Sequence, residues 1–368
     1  MPLGSELPIV CSKSLQIDHS TTYLGRDIKG QPVKKSALKT RMMDVARLAN
    51  VSVITVSRAL SQPEKVSDEA RERIQWAIDS IGYVHNRVAS SLSSSRTGIV
   101  AAVVPRIDNP LYGSTLQGLS DVLRKGNYRL MLSDSGFYAE DLEALVRTLL
   151  GHRPEAMFLQ SVTVTESTRA LLKRIDIPVV QAGDLTRTPV DVVVSYSNYA
   201  SAKAMTLHLG KRGYRKIAFV CNDVTLNPRA LQRKRGYLTA LKELGIEPDE
   251  TLILETTHGF REGEEAMATL AERRPDIEAV FFGAELWAVG AIAECHRRGW
   301  KVPERFAIAG YDHGGIAPQV TPSLTAVWIP RNEIGRVAGE ILLRRLRGEK
   351  VDNSIVDLGF RIVEGESA

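Results

Sequence analysis

The 368-residue chain holds the residue types that carry most enzyme chemistry, but not in the spacings that chemistry needs. Cys11, Cys221 and Cys295 stand too far apart to form a CxxC metal pair or a disulfide framework. No Walker A, HExxH or GxSxG run occurs, and Pro105-Arg106-Ile107-Asp108-Asn109-Pro110, after an apolar run, lacks the GxGxxG that admits a pyrophosphate. The expectation is therefore no enzyme, no cofactor and no metal. Recognition chemistry is better represented. Arg106, Asp108, Asn109 and Tyr112 follow one apolar run, Asp134 a second and Gln181 a later one. Carboxylates accept from paired hydroxyls, and a guanidinium fork matches vicinal hydroxyls or a carboxylate. Taken singly, each is equally readable as a solvated loop residue.

Such groups act together only if the fold gathers them. Short β-branched or apolar runs occur at 99–104, 128–132, 156–159, 178–181, 190–194, 216–220, 279–282, 305–309 and 324–328, with amphipathic stretches such as 112–125, 142–150, 199–212, 230–244 and 288–298 between them. This rhythm predicts parallel sheets covered by helices on both faces. It shifts near 195 and again past 324, which suits two Rossmann-like lobes that exchange the chain near 195, 326 and 350. Ligands in such folds collect at the carboxyl ends of strands. The same rhythm would also suit a dehydrogenase, a kinase or a sugar-binding protein.

The first quarter of the chain is different. Residues 1–97 hold 14 Lys and Arg against 9 Asp and Glu, so all of the net charge of +5 lies there and the remainder is balanced. That is the footprint of a part that meets a polyanion. Residues 1–40 show no sustained period and read as a flexible tail, or as sequence ahead of a true start at Met42 or Met43. From there Val45, Leu48 and Ala49 share a helix face, with Ala46 small enough for a close crossing. Asn50 suits a left-handed turn, and Ser52 is an N-cap for a second helix over 53–60. Ser67 announces a third helix, with Ala70, Ile74, Ala77, Ile78 and Ile81 buried and Gly82 as its stop. The pattern fits a helix-turn-helix over 41–85, and it also fits any three-helix fragment. Apolar stretches stop well short of the ~20 residues a membrane span needs, and the N-terminus has no signal-like run, so a cytoplasmic protein is expected.

The runs DVARLANVSVITVSRAL, KVSDEARERI and IGYVHNRVASSL resemble the DNA-binding head and hinge of the lactose-repressor/galactose-repressor family of bacterial transcription factors. Residues 98–368 are similar to its effector domain, itself like periplasmic sugar-binding proteins. The resemblance implies an all-α helix-turn-helix head joined to an α/β effector and dimerisation domain of two lobes, acting as a repressor on a palindromic operator. It places the second helix in the major groove, with Val53 and Ile54 at base edges, Arg58 as a bidentate partner for guanine, and Ser52, Thr55, Ser57 and Asn86 on phosphates. Residues 86–97 become a hinge and linker whose short helix, including Asn86, Ala89 and Leu92, sits in the minor groove, Leu92 wedging a base step. Arg233 matches the family arginine that reaches the ligand, and Asp312 its polyol-binding aspartate. Where the family often has Asn-Asp opening a helix, this chain has Ala284-Glu285, so a neutral hexose is not implied. The stretches AECHRRGWKVPERFAIAGYDHG and PRNEIGRVAGEILLRRLRGE resemble the gluconate-operon branch. The effector expected is a sugar or sugar acid such as gluconate, its carboxylate on Arg233 or Arg106, and the assembly a homodimer or a tetramer. The rival reading is an enzyme or sugar-binding protein with an incidental helical cap.

Overall fold

The computed structural model describes residues 40–85, 96–107, 109–136 and 138–368. The tail (but for Thr40), the hinge positions Asn86, Ala89 and Leu92, and Asp108 lie outside the described residues. The chain divides into two compact units, one ending at Ser94 and one beginning at Ser95.

In the first unit α1 (Met42–Leu48), α2 (Val53–Ser61) and α3 (Asp68–Ile81) pack around Val45, Ala46, Ala49, Val56, Ile74, Ala77 and Tyr83. Val45, Val56 and Ala77 are wholly buried, and sealing a Val or Ile from water is worth ~1.5–3 kcal/mol. Asn50 takes φ 50° in the turn, and Gly82 ends α3 at φ 61°. Ser52 caps α2 by accepting from the Thr55 N–H at 3.0 Å, whereas Ser67 occupies the N-cap position of α3 with no side-chain cap bond. Leu48 departs from expectation: it is 41% exposed, and Ala46 takes its place in the core. With about 100° per residue, positions 45, 46 and 49 span one arc and position 48 falls outside it.

The second unit holds two six-stranded sheets. The first is built from β1 (Ile99–Val104), β2 (Arg129–Asp134), β3 (Ala156–Leu159), β4 (Val179–Gln181), β5 (Val192–Ser195) and β11 (Ile355–Asp357), in the order β11-β5-β4-β3-β1-β2, all pairs parallel. The second is built from β6 (Ile217–Cys221), β7 (Ile253–Glu255), β8 (Ala279–Phe282), β9 (Ala307–Tyr311), β10 (Thr325–Trp328) and β12 (Arg361–Val363), in the order β12-β10-β9-β8-β6-β7, with only β12 antiparallel. Helices α4 (Pro110–Lys125), α5 (Ala139–Gly151), α6 (Glu166–Ile175), α7 (Asn198–Lys211), α8 (Pro228–Glu243), α9 (Phe260–Arg273), α10 (Glu285–Arg297) and α11 (Arg331–Leu346) connect them. Central strands such as β1 and β8 are buried along almost their whole length, as strands covered on both faces must be.

The chain passes from the first sheet to the helices of the second at Tyr196-Ser197, returns at Ile329-Pro330, where α11 packs on α4, and crosses again over 358–360. The last crossing lies later than position 350 because β11 still pairs with β5. Each lobe is therefore made of separate stretches of chain, and the crossing segments lie where the carboxyl ends of the strands face each other. No helix among the described residues is long and apolar enough to cross a membrane.

Candidate functional site

Two surfaces carry recognition chemistry, one on each unit. On the first, α2 turns Val56 into the core and leaves Val53 42% and Ile54 64% exposed, with Ser52, Ser57 and Arg58 beside them. Two apolar side chains on the outside of so small a domain offer contact to an apolar group, such as a thymine methyl. No hydrogen bond or ion pair within the described residues holds the Arg58 guanidinium, so its five donors are available to an external partner. Ser52 and Thr55 have local duties: their hydroxyls lie 2.8 Å apart and the serine caps the helix.

On the second unit a cavity of about 230 Å³ lies among the strand ends of both lobes. The two helices that flank it begin alike. Asn109 and Asn227 cap α4 and α8 with their side-chain oxygens, each followed by a proline at the first helical position, where its missing N–H costs nothing. Of the expected ligand residues, the fold brings Arg106, Asn109, Tyr112, Arg233 and Asp312 to this wall. Arg233, only 8% exposed, donates from Nη1 to Asn198 Oδ1 at 2.8 Å and lies 4.7 Å above the Tyr311 ring. Its buried Nε has no hydrogen-bond partner among the described residues, a donor whose unmet bond is costly unless a ligand supplies an acceptor.

Three expected ligand residues are elsewhere. The exposed Asp134 carboxylate accepts from the N–H groups of Ile107 (2.7 Å) and Gly136 (2.9 Å), holding the loops after β1 and β2 together. Gln181 is fully buried, donating to the Ser161 carbonyl and accepting from the Val190 N–H, so its amide is consumed inside the first lobe. Glu285 is 5% exposed and accepts from the N–H groups of Gly314 and Ala317, both at 2.8 Å. It fastens the loop after β9, and burial raises its pKa against the pull of those backbone bonds. A strand-end or helix-start position alone does not separate a ligand contact from a loop anchor.

The sequence reading missed Arg331, Arg229, Asn222, Asp223, Asn227 and Tyr196, all on the wall. Arg331 opens α11 just after a strand, the same positional signal that singled out Arg106. It bonds Asp312 Oδ1 from Nε (2.8 Å) and Nη2 (2.5 Å), and Nη2 also donates to the Tyr196 hydroxyl at 3.1 Å. Burial opposes the arginine's charge, but the carboxylate beside it more than compensates, so its pKa is raised. Arg229 stands 5.8 Å from the Tyr112 ring centroid. The cavity thus gathers four arginines, 106, 229, 233 and 331, around two aspartates, 223 and 312. Its tyrosine, asparagine and guanidinium groups are able to hold a polar ligand by hydrogen bonds.

A two-lobed domain with an arginine-lined cavity, on one chain with a helix-turn-helix that leaves Val53 and Ile54 exposed, is the architecture of a ligand-binding DNA-binding regulator. Residues 41–86 match the family "Bacterial regulatory proteins, lacI family", and residues 206–368 match the "Periplasmic binding protein-like domain". The HTH-type transcriptional regulator GntR of Escherichia coli (strain K12) is 32% identical over 326 residues, which cover 89% of this chain and 98% of that protein. Among solved structures, a LacI-family transcriptional regulator from Silicibacter pomeroyi is 28% identical, with a TM-score of 0.82 over 89% of this chain and 99% of that one. The transcriptional regulator CelR in complex with cellobiose is 28% identical, with a TM-score of 0.65 over 90% and 100% of the two chains. The chain belongs to the lacI family of bacterial regulatory proteins: it is a DNA-binding transcriptional regulator and not an enzyme.

Proposed function

We propose that this regulator is a homodimeric repressor of a sugar-acid catabolic operon and that its effector is an aldonate such as gluconate. The head (41–85) reads a half-site, residues 86–97 link it to the clamp, and residues 98–368 take the effector and the second subunit. The observation that carries the reading is the excess of arginine over aspartate in the cavity. A carboxylate there meets guanidinium forks that bind it bidentately, with Arg233 and Arg106 as its partners and the unmet Arg233 Nε as an available donor. Hydroxyls along the sugar chain meet Asn109, Asn222 and Tyr112. The likeness of the C-terminal stretches to the gluconate-operon branch supports the same class. In the head, Val53, Ile54 and Arg58 read bases and Ser52, Thr55 and Ser57 meet phosphates.

Calorimetry on the full chain tests this reading. D-gluconate is expected to bind, while D-glucose and D-galactose bind at least about tenfold more weakly, a difference of ~1.4 kcal/mol. Tight binding of the neutral sugars with none of gluconate would reject it.

A further inference from the structure

A carboxylate buried on a cavity wall ordinarily serves as the acceptor for a neutral polyol, since adjacent hydroxyls satisfy its oxygens at little cost. Asp312, which follows β9 with φ 67°, is 5% exposed and lies on this wall. Its Oδ1 does not stand open to hydroxyls. Arg331 delivers two N–H groups to Oδ1, is itself 12% exposed at its side chain, and is steadied by the Tyr196 hydroxyl and by the Tyr196 ring, 5.4 Å from its guanidinium carbon. A guanidinium does not lose its proton in a protein, so Arg331 stays a donor to this oxygen. The second wall carboxylate is also engaged: Asp223 Oδ1 accepts from the Thr225 N–H at 2.8 Å and its hydroxyl at 2.6 Å. With one oxygen of each acid engaged, the cavity still holds Arg106, Arg229 and Arg233 beyond the Arg331–Asp312 pair.

We infer that Arg331 is the residue that sets effector class: by taking Asp312 Oδ1 with two N–H groups it denies adjacent hydroxyls of a neutral sugar the second acceptor oxygen and tilts the cavity toward an acid. The inference rests on the sugar-acid reading and adds the residue responsible for rejecting the neutral analogue. Specificity here comes from removing an acceptor the wrong ligand needs as well as from attracting the right one.

The test uses D-gluconate and D-glucitol, which share one hydroxylated carbon chain and differ at a carboxylate against a hydroxymethyl. Calorimetry is run on the full-length wild type and on R331Q, R331K and D312N. The wild type is expected to prefer gluconate. R331Q, which frees Asp312 and removes one positive charge, is expected to lose at least about tenfold of that preference, with glucitol binding more tightly than in wild type. R331K keeps the charge without the fork and is expected to fall between. D312N, which leaves Arg331 unneutralised, is expected to keep or increase the preference, and it remains informative should R331Q fail to fold. A wild-type preference in R331Q, or equal loss of both ligands in D312N, would overturn the assignment of Arg331 while leaving the sugar-acid reading intact. A wild type that prefers glucitol or binds neither ligand overturns that reading and this inference with it.

Discussion

At the level of single residues, what matters is whether a polar group's hydrogen bonds are already spent. Arg58 is exposed and unheld within the head, while Ser52 and Thr55 beside it are engaged with each other. Arg58→Ala should therefore cost about 1–3 kcal/mol of discrimination at one base pair and leave weak, salt-sensitive binding to random duplex. Competition between an inverted-repeat operator and its single-base variants measures this, and unchanged preference would remove Arg58 from base reading. The same distinction explains which sequence expectations held their place in the fold. Arg233 and Asp312 reached the cavity, but Gln181 and Glu285, of equally suitable chemistry, were drawn into backbone bonds that no spacing rule exposes. Spent chemistry also describes the thiols. Burial pushes Cys221 and Cys295 up to about 12, so at pH 8 only ~10⁻⁴ of either is the reactive thiolate. A Cys11→Ser variant should show no fast-reacting thiol toward a disulfide reagent until it is denatured, and rapid labelling of the native chain would contradict the burial.

Elements were legible in proportion to their length and to the clarity of their period. The nine strand runs named from the sequence include all the central strands, because a strand covered on both faces is a continuous apolar run. The ones it lacked, β7, β11 and β12, are three-residue edge strands with residues half in water. A period of two cannot be established over three residues, and these strands exist because a neighbour offers them a ladder. Helix pairing was similarly invisible. The packing of α11 on α4 depends on Gly118 and Gly335: a Cβ on the first would lie 2.1 Å from the Asn332 carbonyl oxygen, and one on the second 1.9 Å from that of Thr115. Backbones that touch in this way cannot yield as side chains do. Gly335→Ala should destabilise the second unit by ~1–3 kcal/mol through forced separation of the pair, despite Ala's better helix propensity. Thermal unfolding of the variant against wild type reads the effect. A raised midpoint would show that the helices slide apart freely.

The whole molecule is a question of coupling. Tyr196 lies at the first crossing between lobes, Arg331 follows the second, and Asp312 follows a strand of the second lobe, so one small network joins two of the segments that cross between the lobes and also walls the cavity. A ligand that bonds both lobes favours the arrangement in which those bonds are shortest, and it shifts the population only by its differential affinity for that arrangement. If the head senses that shift, gluconate should change the affinity for an inverted-repeat operator by a factor of about 5–150, and saturating operator should change the affinity for gluconate by the same factor, as linkage requires. Anisotropy of a labelled duplex at fixed salt gives the first factor, and calorimetry with and without the duplex gives the second. Tyr196→Phe removes the hydroxyl that steadies Arg331 while leaving the cavity charge untouched, and it is expected to reduce that factor more than it reduces gluconate affinity itself. Tight gluconate binding that leaves operator affinity unchanged, in wild type and variant alike, would mean that the cavity and the reading helix do not share one equilibrium.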